Sequence, residues 1–120
     1  LGKNYNDGMM LTAEIAEKER IPKKFLELIL LDLKKAGYVS SKQGAGGGYY
    51  LVKNPNKITV AEIYRLFDGA IALLPCVSEK FYERCPDCKN EKSCPLKRSF
   101  SVLRVQTYSL MSQMTLSSML

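Results

Sequence analysis

The run YVSSKQGAGGGYYLVK, residues 38–53, limits what this chain can fold into more than any other stretch. Two short β-type runs flank QGAGGG, so the segment predicts a hairpin whose glycine tip admits positive φ and presents little side chain. A phosphate-binding loop is the competing reading of so many glycines. It fails because neither GxGxxG nor GxxxxGK followed by Ser or Thr occurs, and because a strand rather than a helix follows the tip.

The residues before the hairpin have helical patterning. Thr12 is placed to cap a short helix, AEIAEKER, with Glu14 in the first turn where the helix dipole favours an acid. Pro22 suits the first position of a second helix, PKKFLELILLDLKKAG, which closes on Lys34, Lys35 and Gly37. Phe25, Leu26, Ile29, Leu30, Leu33 and Ala36 recur there at helical spacing and predict a core face, while Lys23, Lys24 and Glu27 lie near the N-terminal end of the other face. After the hairpin, TVAEIYRLFDG carries a Thr59 and Glu62 capping box, Ile58 and Ile63 at the staple positions, and Gly69 to end it. A long helix is expected from Pro95, with Leu96, Phe100, Leu103, Thr107, Leu110 and Met114 recurring at spacings of four and three, a seam suited to pairing two copies.

Two short helices followed directly by a glycine-tipped hairpin make the element order of a winged helix-turn-helix, which sets its second helix in the DNA major groove. The expected fold class is mostly α with a small β-hairpin, a winged helix-turn-helix plus a long C-terminal dimerisation helix. The expected boundaries are 1–69 for the DNA-binding domain, 70–94 for a cysteine-containing sensor loop and 95–120 for the dimerisation helix. LGKNYNDGMM reads as the exit from a helix lying before Leu1, followed by a turn at Asn6, Asp7 and Gly8.

Charge agrees with a nucleic-acid partner. The chain has 120 residues and a net charge of +6, with ten basic and six acidic side chains in residues 1–60 and eight and six in residues 61–120. A basic excess weighted to the helix-turn-helix half suits a polyanion. The candidate DNA-binding residues are Thr12, Lys23, Lys24, Glu27, Lys42, Gln43 and Tyr49. Glu27 repels phosphate, so its use would be to accept from cytosine N4 and penalise other bases. The absence of histidine removes Ser-His-Asp and Cys-His catalysis and every histidine-containing metal site. The longest clean apolar run is AIALLPC, so neither a membrane span nor an export signal is expected, and the expected location is the cytoplasm.

All four cysteines, Cys76, Cys85, Cys88 and Cys94, fall in one short window ending in CPDCKNEKSC. A disulfide staple is the weakest reading, because a chain of this size buries a core without cross-links and the loops closed would be short. Four thiolates at this spacing suit an iron–sulfur cluster or a tetrahedral zinc, although the paired spacing of zinc ribbons is absent. Lys80, Arg84, Lys89 and Lys92 nearby would offset thiolate or cluster charge.

The segment IPKKFLELILLDLKKAGYVSSKQGAGGGYYLVKNPNKITVAEIYRLFDG, with the cysteines and SCPLKRSF…TLSSML after it, resembles the Rrf2 family of bacterial transcriptional regulators over nearly the whole chain. The resemblance implies a dimer that binds palindromic operators, and in some members an iron–sulfur cluster held by three cysteines. On that pattern Cys76, Cys88 and Cys94 match the family ligands and Cys85 is an extra thiol. Lys97 stands where cluster-binding relatives use a histidine, Gln43 where they have an arginine before the glycine tip, and Pro22 where a small polar residue is usual. The family's first helix would precede Leu1.

The function expected is a dimeric DNA-binding regulator, not an enzyme, whose operator affinity is modulated by a cysteine-ligated iron–sulfur cluster or by thiol redox state. The alternative is a zinc-stabilised or metal-free regulator with a structural cysteine loop. A thiol oxidoreductase built on Cys85 and Cys88 lacks the βαβ setting that motif needs. A protein-interaction module on the methionine-rich C-terminal helix would bind no DNA.

Overall fold

The computed structural model describes residues 1–120. Four helices and one hairpin form the chain: α1 (Thr12–Glu19), α2 (Lys23–Lys35), β1 (Val39–Lys42), β2 (Gly48–Leu51), α3 (Val60–Phe67) and α4 (Pro95–Gln113), joined by short 3₁₀ turns. They fall into two compact units, Leu1–Ile58 with Leu116–Leu120, and Thr59–Thr115. The fold class is the expected one, mostly helical with a single two-stranded antiparallel wing.

In the first unit α1 and α2 meet over a core of Ile15, Leu26 and Leu30, against which Leu1, Met10, Ala16, Ile21 and Tyr49 pack. The start of α1 differs from expectation. Leu11 is the N-cap and Thr12 already lies in the first turn, because the Glu14 carboxylate accepts from the Leu11 amide at 2.9 Å and does the capping expected of the Thr12 hydroxyl. Arg20 ends α1 in the left-handed conformation at φ 54°, and Ile21 N donates to Ala16 O at 2.9 Å, which turns the chain sharply toward α2. Along α2 the buried stripe is narrower than its apolar pattern suggests. Leu26 and Leu30 are buried, whereas Phe25 is 58% exposed and Ala36 is also exposed, because the short α1 covers only one side of the helix.

The wing pairs Val39 with Leu51, Ser40 with Tyr50, Ser41 with Tyr49 and Lys42 with Gly48. Lys34 Nζ donates to Ser41 Oγ at 2.6 Å and ties the wing to α2. On its other edge Met10 exchanges two backbone hydrogen bonds with Tyr49, at 2.9 and 2.8 Å, so the hairpin has a one-residue third partner. That approach explains the glycine at 48. Its φ is 144°, and a Cβ there would lie 2.5 Å from the Met10 carbonyl oxygen.

The second unit begins with the expected capping box. Glu62 N donates to Thr59 Oγ1 at 3.3 Å while Thr59 N donates to Glu62 Oε2 at 2.9 Å. Its two ends meet where Val60 N donates to Met114 O at 2.8 Å, and α3 packs along α4. No helix is long and apolar enough to cross a membrane.

Candidate functional site

The residues expected to meet DNA sit on the first unit. Lys23, Lys24 and Glu27 are exposed on the first turns of α2, and Lys42 and Gln43 are exposed where β1 runs into the wing tip. Lys34 Nζ donates to Ser41 Oγ and links the helix and the wing that carry these five side chains. Thr12 and Tyr49 are half-buried. Tyr49 packs against the Ile15, Leu26 and Leu30 cluster and its backbone pairs with Met10, so most of its contacts are internal.

The cysteines lie in the second unit and all four thiols are free. Cys76, Cys85, Cys88 and Cys94 line one cavity of about 480 Å³, together with Glu91, Arg84 and Lys97. Local geometry brings them there. Cys76 sits in a 3₁₀ turn that Pro75 starts, a tight turn joins Cys88 N to Cys85 O at 3.1 Å, and Cys94 is the N-cap of α4. As that cap, the Cys94 sulfur accepts from Lys97 N at 3.4 Å, in the role an oxygen cap usually fills.

Sequence reasoning missed the polar frame of this cavity. Glu91 accepts from the Tyr82 hydroxyl and from Lys97 Nζ, the latter at 2.9 Å. The hydrogen bonds from Tyr82 and Lys97 pull the Glu91 carboxyl below its ordinary value. The same carboxylate raises the pKa of Tyr82 and of Lys97. Thus Lys97 is engaged as a cation by Glu91. Arg84 donates to Cys88 O at 3.2 Å and lines the cavity, whereas Lys80, Lys89 and Lys92 are exposed and do not line it. No spacing rule links Tyr82, Glu91 and Lys97, so nothing in the sequence pattern signals the network.

A second carboxylate anchors the loop between Cys76 and Cys85. Glu79 pairs with Arg104 of α4 at 2.9 Å and with Arg65 of α3 at 3.5 Å, and Arg65 stacks over Tyr108 with 4.7 Å to the ring centroid.

Four thiols are soft donors of the kind that hold iron–sulfur clusters and zinc. No three Cys, Asp or Glu side chains stand close enough to hold a single metal ion. A tetrahedral zinc needs its sulfurs about 2.3 Å from one point, whereas a cluster offers iron atoms at separate corners. The four thiols that line the cavity are donors of the type both groups take.

The expected α4 seam is largely uncovered within the chain. Leu96, Leu103, Leu110 and Met114 are between 45% and 64% exposed, Thr107 is exposed, and Phe100 is half-buried.

Comparison with known proteins places these features in context. The family model Rrf2, described as an iron-dependent transcriptional regulator, matches residues 1–120. An Rrf2-like helix-turn-helix transcriptional regulator of Rhodobacter capsulatus is 44% identical over 107 residues, covering 89% of this chain and 71% of that protein. The solved structure of CymR, the global cysteine regulator of B. subtilis, superposes with a TM-score of 0.77 at 28% identity, covering 99% of this chain and 83% of that one. The structure of T. potens IscR shares the fold with a TM-score of 0.73 at 24% identity, over 98% of this chain and 73% of that one.

Proposed function

We propose, from the premise that this chain belongs to the Rrf2 family of transcriptional regulators, that it binds a palindromic DNA operator as a homodimer and that its four cysteines set the affinity. The observation that carries this reading is that Cys76, Cys85, Cys88 and Cys94 line one cavity while the sulfur of Cys94 also caps α4. Lys23, Lys24, Glu27, Lys42 and Gln43 form the duplex-facing set, with Thr12 and Tyr49 at its margin. Leu96, Phe100, Leu103, Thr107, Leu110 and Met114 form the seam that pairs two copies.

Cys76, Cys88 and Cys94 would hold an iron–sulfur cluster, and Cys85 lines the same cavity. When bound, the cluster supplies sensitivity to oxidants and to small reactive molecules. The chain's own part is mechanical. Cys94 links the cavity to α4, because the sulfur that would take up a cluster or an oxidant also caps the helix at the Lys97 amide, and a change at that sulfur would perturb the first turn of α4. The pairing of two α4 seams then shifts, and with it the separation of two recognition helices, which must match half-sites about 34–36 Å apart. Glu79, between Cys76 and Cys85, ties the loop to α3 and α4 through Arg65 and Arg104.

Anaerobic purification with visible absorption and iron, sulfide and zinc analysis tests the cofactor, and duplex binding at several salt concentrations tests the DNA partner. Iron with matching sulfide, and affinity that falls steeply with salt, are expected. Colourless iron-free protein from a verified anaerobic preparation would remove the cluster, and salt-indifferent binding would remove the operator.

A further inference from the structure

The outward face of α2 carries a pattern that the charged residues alone do not explain. At 3.6 residues per turn, Lys24, Leu28, Leu31 and Lys35 fall within an arc of about 60°, opposite the buried Leu26 and Leu30. Leu28 is 62% exposed and Leu31 is 42% exposed, so two leucines occupy the middle of the face between two lysines. A single exposed leucine needs no explanation, but an apolar stripe centred on the helix that carries the duplex-facing lysines does.

We infer that Leu28, supported by Leu31, reads the 5-methyl group of thymine in the DNA major groove. The inference rests on the DNA-binding reading and deepens it by assigning a base to a residue. Charge decides the occupant: lysines at both ends of the stripe match the phosphates along the two rims of a groove, and the chain carries a net charge of +6. Chemistry decides the base, because the thymine methyl is the one apolar group on the major-groove floor. Leucine has no donor or acceptor, so it leaves the amino groups of adenine and cytosine unpaired and favours thymine by contact alone. Glu27, adjacent in sequence, has the opposite preference and accepts from cytosine N4. Together they predict that the operator half-site presents thymine beside cytosine to the first two turns of α2.

The test uses the duplex recovered by selection from a randomised library with the native chain, and the same duplex synthesised with deoxyuridine for every thymidine, which removes only the methyl groups. Affinity should fall on the order of fourfold for each contacted methyl. Leu28→Gln, at an exposed position, should fold normally and bind both duplexes alike with an unchanged salt slope. Equal affinity of the native chain for both duplexes, with a normal salt slope, would overturn the thymine assignment alone. Failure to bind any duplex in a salt-dependent way would overturn the regulator reading with it. If Leu28→Gln loses self-association and leaves DNA binding untouched, the stripe is a protein contact and the inference is wrong.

Discussion

Replacing Gly48 by alanine probes how the wing is held in place. At φ 144° the residue lies in a region that is essentially glycine-only, which costs an alanine about 1–3 kcal/mol. The new Cβ would also sit 2.5 Å from the Met10 carbonyl oxygen, so Met10 and Tyr49 must separate and two backbone hydrogen bonds are lost, at about 0.5–1.5 kcal/mol each. Together these give a destabilisation of about 2–6 kcal/mol. Gly46→Ala is the internal control, since Gly46 has φ 72° with no atom within 4 Å of its Cβ position, and the backbone term alone is about 1–2 kcal/mol. Urea unfolding separates the two, with a midpoint shift on the order of 1–2 M for Gly48→Ala and about half of that for Gly46→Ala. Hydrogen exchange at the Met10 and Tyr49 amides should accelerate only in the first variant. Equal destabilisation by the two substitutions, with both amides still protected, would refute the close-approach account of the wing.

Other expectations follow from the same geometry. Leu30→Ala empties a site 2% exposed in the first core and should cost about 2–5 kcal/mol, while Leu28→Ala on the outer face should stay within about 0.5 kcal/mol, both read by urea denaturation. Lys24→Ala should lower duplex affinity on every sequence alike and reduce the slope of log affinity against log salt by about 1. Glu79→Ala removes the half-exposed carboxylate shared by Arg65 and Arg104 and should cost about 0.5–1 kcal/mol. The Tyr82, Glu91 and Lys97 network has a defined pH window. Glu91 titrates below its ordinary value, so its contribution is complete above the usual carboxylate range and is lost as pH falls through the depressed value. Tyr82 and Lys97 titrate above their ordinary values, so their contribution is lost only as pH rises through the raised ones. Ring NMR should show Tyr82 ionising later than an ordinary tyrosine, and Glu91→Gln should abolish the delay.

Local rules carried the fold further than the site. The hairpin, the Thr59 and Glu62 capping box and the start of α4 at Pro95 are written in short spacings, and the structure has each of them. The cap of α1 was misplaced by one residue because a carboxylate in the first turn competes with a hydroxyl for the same orphan amide. Phe25 was expected in the core because it is apolar and adjacent to the stripe, yet α1 is too short to cover that side. At the cysteines the residue types were legible but the surroundings were not. The Glu91 link to Tyr82 and Lys97, and the Glu79 link to Arg65 and Arg104, join positions brought together only by tertiary folding.

The central claim is that the cysteine cavity governs operator affinity. Its most direct test is the dissociation constant for the selected duplex, measured on anaerobically isolated chain before and after oxidation by air, beside a chain with Cys76, Cys85, Cys88 and Cys94 replaced by serine. A change of at least about tenfold in the native chain, worth about 1.4 kcal/mol, with none in the serine chain, is the result predicted here. Identical affinities of the native chain in both states, on a sample whose oxidation is verified by thiol and iron content, would contradict it.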